Sequence, residues 1–151
     1  INNRTINHLE IATGKEEQLL NFPHAILSLA ISPDGKLLAF NADNSVMLLS
    51  TNGGEPKRLI QEKDVNSITW SRDGRFLLYG KRHDAKSDIV DVWRIPVAGG
   101  EPQKLELSML RLMHMRIHPD GRKIAFTGSL QLPSNEIWVM ENFLPKSTTK
   151  K

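Results

Sequence analysis

A five-residue pattern occurs three times at nearly constant spacing, and this self-similarity constrains the fold more than any other feature of the chain. The copies are Ile31-Ser-Pro-Asp-Gly35, Trp70-Ser-Arg-Asp-Gly74 and Ile117-His-Pro-Asp-Gly121, with aspartates 39 and 47 residues apart. A short apolar run follows each: Leu37-Leu-Ala-Phe40, Phe76-Leu-Leu-Tyr79 and Ile124-Ala-Phe126. A second marker interleaves with the first, Gly53-Gly-Glu-Pro-Lys-Arg-Leu59 and Gly99-Gly-Glu-Pro-Gln-Lys-Leu105, 46 residues apart, with Gly14-Lys-Glu-Glu-Gln-Leu19 as a degenerate copy upstream. Ahead of these glycines stand Ile6-Asn-His-Leu9, Val46-Met-Leu-Leu49 and Val92-Trp-Arg-Ile95, and Ile137-Trp-Val-Met140 is the matching run of the last copy.

Each full unit therefore reads as four short strands: one ending at the Asp-Gly turn, one after it, one before the Gly-Gly pair and one after that. Short strands bounded by Gly, Pro and Asp are an all-β signal, and no capped 3.6-residue periodicity persists for three turns. Asp-Gly and Gly-Gly supply the positive φ of tight hairpins, which makes Asp34, Asp73 and Asp120 turn residues rather than an acid–base set. The second strand of each unit is apolar at consecutive positions, so both faces of its sheet are covered. Small sheets buried on both faces and repeated radially form a β-propeller.

The units resemble the TolB-like, Pro-Asp-type relatives of the WD repeat, whose pattern runs apolar-x-Trp/Phe-Ser-Pro-Asp-Gly-Lys, an apolar strand, Ile-Tyr-Val-Met-Asp, then Gly-Gly-x-Pro-x-x-Leu. The resemblance covers about residues 4–143; Arg72 replaces the turn proline, His118 replaces the serine, and the Trp-Asp dipeptide of true WD repeats is absent. The expected fold is all-β, a partial β-propeller of four-stranded antiparallel blades over residues 1–145. Residues 4–20 supply the outer two strands of one blade, 22–60 and 61–107 two complete blades, and 108–143 a blade lacking its outer strand, ahead of a basic tail at 146–151. About three and a quarter blades do not close a ring, because propellers use four to eight, so the expectation is missing blades upstream or self-association. The resemblance implies a bacterial protein in which such a propeller follows signalling domains, transport domains or a signal peptide. For compartment it points to the periplasm, though no segment of this chain decides it.

Composition narrows the function. The chain has no cysteine, which excludes thiol catalysis, thiolate zinc and disulfide scaffolds. Its net charge of +3 is matched by Lys146, Lys150 and Lys151 alone. The body is then neutral and offers no phosphate-neutralising face, so no nucleic-acid partner is expected. No window approaches 18 consecutive apolar residues, so no membrane insertion is expected either. The nucleophile elbow, Walker loop, His-Glu-x-x-His helix and dinucleotide glycine fingerprint are all missing. The expectation is a non-catalytic scaffold without cofactor or metal that binds a protein, peptide or ligand. The competing reading is part of a propeller lyase or hydrolase with its active site at the channel mouth.

The turns joining first to second and third to fourth strands lie on one end of a propeller, and here they are monotonous. The loops of the opposite end vary in length and composition, and binding residues concentrate on such loops. That end carries the partner-binding candidates His24, Lys63, Arg82, His83, Asp84, Lys86, Arg111, His114 and Gln131. Ser108–Met113 is one of its loops. The charged stretch from Lys81 to Asp91 is a solvated insertion first and a salt-sensitive docking loop second; a metal held by His83, Asp84 and Asp88 lacks a rigid ligand geometry. His114 falls in phase with Ser28 and Ser67 and is expected to face the channel.

Overall fold

The computed structural model describes residues 3–129 and the backbone of 136–141, and over them the chain is all-β. β1 (Thr5–Leu9) and β2 (Glu16–Asn21) form an antiparallel hairpin. β3 (Ser28–Ile31), β4 (Leu37–Ala42), β5 (Ser45–Ser50) and β6 (Lys57–Gln61) form a four-stranded antiparallel blade in sequence order. β7 (Val65–Trp70), β8 (Phe76–Arg82), β9 (Ile89–Pro96), β10 (Gln103–Ile117), β11 (Lys123–Ser129) and β12 (Glu136–Glu141) follow, again in sequence order, as one continuous six-stranded sheet.

The continuity comes from β10, a 15-residue strand where two shorter ones and a loop were expected. Its first part pairs with β9, from Gln103 opposite Arg94 to Leu110 opposite Ile89. Its second part pairs with β11, from Leu110 opposite Ser129 to Ile117 opposite Ile124. Ser108–Met113 is therefore strand rather than loop. Residues 103–117 contain neither proline nor glycine, so no turn chemistry interrupts the strand. It bends from one blade into the next through register shifts and left-handed backbone at Arg111 and His114.

Among the described residues three apolar cores lie between successive blades, and alternate residues of one strand feed two of them. Leu38 and Phe40 of β4 pack with Ile6, Ile26 and Leu49, whereas Ala39 joins Val46, Ile68, Trp70, Leu77, Tyr79 and Ile95. Leu78, one residue from Leu77, packs instead with Val92, Met115, Ile124 and Phe126. This is the physical content of the consecutive apolar runs: a strand covered on both faces has no polar side to alternate with.

The Asp-Gly turns are built alike. Ser32 Oγ donates to Asp34 Oδ1 at 2.6 Å, Asp34 Oδ1 accepts Lys36 N–H at 3.1 Å, and Leu37 N–H closes onto Ser32 Oγ at 2.9 Å. Ser71, Asp73, Arg75 and Phe76 repeat these bonds at 2.6, 3.1 and 2.9 Å. In the third copy His118 Nδ1 takes the serine's place, 3.0 Å from Asp120 Oδ1. The bond from Ser32, with the Lys36 amide, holds the Asp34 carboxyl below the usual carboxylate range. The glycine of each turn has φ near +70°, which only glycine adopts without strain.

Candidate functional site

Left-handed backbone divides this molecule by its two ends. Every described glycine with positive φ (14, 35, 53, 54, 74, 99, 100 and 121) lies in the monotonous turns of one end. Every described non-glycine with positive φ lies on the other end: Asp43 (49°), Asn44 (52°), Asp64 (57°), Arg111 (53°) and His114 (54°). Asp, Asn and His are the residue types that tolerate this region best, but Arg111 enters it at a cost. The variable end thus places residues with side chains where the opposite end uses glycine.

Asp43, Asn44 and Asp64 line a groove of about 380 Å³ at the start of the inner strands β3 and β7 and beside Met113 in the second part of β10. Leu27 and Met113 supply exposed apolar surface, and Asp43, Glu62, Asp64 and Arg82 supply charge. Ion pairs fix the rim. His24 Nε2 lies 3.7 Å from Asp43 Oδ2, Arg82 Nη2 lies 4.0 Å from Asp64 Oδ1, and Arg111 Nε donates to Asp88 Oδ2 at 2.9 Å. Lys81 bonds Glu62 Oε1 at 2.8 Å and sits over the Trp93 ring. The outer pairs are exposed and contribute little to stability. Their effect is to hold oppositely charged groups side by side around an apolar strip.

The remaining candidates are distributed rather than clustered. Lys63 is exposed, with no side-chain partner among the described residues. Asp84 accepts the Lys86 amide at 2.8 Å and so shapes the hairpin, leaving the Lys86 ammonium in solvent. His114 is exposed, its Nδ1 3.1 Å from Thr127 Oγ1. Gln131 lies outside the described residues.

His83 turns away from Asp84 and Asp88 to Asp91, a centre that sequence reasoning missed. The Asp91 side chain is 7% exposed; its Oδ2 accepts from Lys104 Nζ at 2.8 Å and from His83 Nδ1 at 2.9 Å, and its Oδ1 accepts from Ser108 Oγ. Burial alone would raise its pKa, but the bonds from Lys104, Ser108 and His83 outweigh burial and bring it down to about 2. An acid between Val90 and Val92 in an apolar strand was the available signal, since such a group is kept only where donors meet it. Among the described residues no three His, Asp or Glu side chains are placed to hold a metal ion.

Blades that repeat in sequence order, sandwich their cores and segregate their loops to two ends define the chain as part of a β-propeller. Within that class it is WD-repeat-like and TolB-like: the WD domain, G-beta repeat family pattern matches residues 16–49. TolB from Acinetobacter baumannii superimposes with a TM-score of 0.74 at 19% identity, over 91% of this chain and 35% of that one. A chain of the nidogen/laminin complex gives 0.73 at 16% identity, over 93% and 55%. The tricorn protease gives 0.61 at 13% identity, over 99% and 18%. The chain thus spans about a third of the TolB chain it matches. No curated protein sequence matches it significantly.

Proposed function

We propose that this chain is a non-catalytic propeller scaffold that captures a protein or peptide partner through its variable end. The observation that carries the reading is the contrast between the two ends: residues with side chains take the left-handed backbone on the variable end, Arg111 against the ordinary preference, whereas glycine takes it throughout the other end. An arginine kept in that conformation, where glycine would relieve it, is intelligible where its side chain has a task. The adjoining groove joins exposed Leu27 and Met113 to a rim of paired charges, a mixture suited to a polar-rimmed protein contact.

Charge reversal tests it. Arg82→Glu combined with Lys86→Glu is expected to weaken partner capture, in a manner that fades with added salt. Lys36→Glu combined with Lys57→Glu on the glycine end is expected to leave capture unchanged. Pull-downs in which the Lys36 and Lys57 variant loses the bound protein while the Arg82 and Lys86 variant keeps it would overturn the assignment.

A further inference from the structure

The end opposite the proposed partner surface holds a second concavity, and it is where the repeat is broken in one chemical direction. A cleft of about 830 Å³ lies at the ends of the inner strands β3, β7 and β10. Three of its lining residues depart from their sister repeats, and each departure adds a basic group. Arg72 stands where the other turns have Pro33 and Pro119; Arg116 stands where they have Ala30 and Thr69; His118 stands where they have Ser32 and Ser71. The sister repeats fold with small or neutral residues at these positions, so the blade itself does not require the charge.

Nor is that charge consumed internally. Arg72 Nη1 donates to the Asp120 carbonyl at 3.2 Å, and Arg116 Nη1 to the Met115 carbonyl at 2.7 Å. Carbonyl contacts orient a guanidinium without neutralising it, and neither arginine pairs with a carboxylate among the described residues. His118 is held by Asp120, while Asp34 and Asp73 are engaged within their own turns. Among the described residues no carboxylate lines the cleft. Its floor is apolar, with Leu29 41% and Ile31 60% exposed, and the Trp70 indole is fixed by a 3.0 Å bond to the Ala30 carbonyl.

We infer that this cleft binds an acidic peptide segment carrying an apolar side chain, its carboxylates on Arg72 and Arg116 and its apolar group on Leu29 and Ile31. Arginine forks match carboxylates bidentately, and the exposed Leu29 and Ile31 beside them offer an apolar side chain a contact that a simple acid lacks. A peptide is favoured over a small acid because the cleft crosses three successive inner strands, β3, β7 and β10, and stays open along them, a shape that an extended chain can follow.

The test uses a dye-labelled, end-blocked hexapeptide of alternating Glu and Leu, read by fluorescence anisotropy on the full chain. The matched peptide with Gln for Glu is the control. Arg72→Pro together with Arg116→Thr restores the residues of the sister repeats, so the fold is preserved, as an unchanged melting curve would verify. Saturable binding of the Glu peptide is expected, with at least about a tenfold loss for the Gln peptide, for the double variant and at high salt. Equal binding of the two peptides, equal binding by the double variant, no saturation below about 1 mM, or displacement by an equimolar simple dicarboxylate would overturn the inference.

Discussion

Asp91 shows how one buried acid sets the behaviour of a whole loop. Its carboxylate ties the β8–β9 hairpin, through His83, to Lys104 and Ser108 of β10. The folded-state pKa of about 2 lies below the ordinary 3.8, so the ionised form stabilises the fold above about pH 4, and that stabilisation is lost as pH falls towards 2. The shift corresponds to about 2 kcal/mol. Asp91→Asn is therefore expected to lower stability by about that amount at neutral pH. The gap from the parent protein should close between about pH 4 and pH 2. Urea denaturation at pH 7 and near pH 2 measures both; a constant gap would show that the hydrogen-bond geometry matters and the charge does not.

Between strands, the blades are stitched by bonds that recur at the repeat spacing. Ser28 Oγ accepts the Ile68 amide at 3.3 Å, and Ser67 Oγ accepts the Met115 amide at 2.9 Å, each reaching from one inner strand to the next. Asn66 Nδ2 adds a bond to the Leu112 carbonyl at 2.8 Å. Ser67→Ala leaves the buried Met115 amide without its acceptor, an expected loss of about 1–3 kcal/mol, with faster hydrogen exchange at that amide as its local signature. Gly80 permits the same close approach: a Cβ there would meet Asn66 Oδ1 at 2.6 Å and Leu112 Cδ2 at 2.9 Å. Gly80→Ala should cost about 1–3 kcal/mol by overpacking, seen as a lower denaturation midpoint with the β-sheet circular dichroism retained. A neutral result would mean that neighbouring β7 and β10 yield without loss.

At the scale of the whole molecule, the arc leaves apolar surface uncovered. β1 pairs only with β2 among the described strands, and Leu9, Ile11 and Leu27 are 58%, 95% and 72% exposed. Open edges beside apolar side chains recruit other chains. The 151-residue chain is expected to self-associate in solution, and Leu9→Lys with Ile11→Lys to reduce association by adding charge at that edge. Light scattering decides it: a monodisperse 17.1 kDa species with a cooperative thermal transition would show that the arc is stable alone.

The sequence by itself determined the features encoded within a few residues of each other. Three in-phase Asp-Gly turns and consecutive apolar runs specified short strands, covered sheet faces and a propeller, and they identified Asp34, Asp73 and Asp120 as turn residues. Turn chemistry is local, so it can be read locally. The same reasoning misjudged Ser108–Met113, because a strand that bends through bulges carries no punctuation to mark the boundary between blades. Only the tertiary structure decided which side chains meet. It turned His83 to Asp91, stitched Ser67 to Met115, and brought Arg72 and Arg116, 44 residues apart in the chain, to one cleft. Such meetings are set by the stacking of one blade on the next, and that geometry is fixed by packed cores rather than by the spacing of letters along the chain.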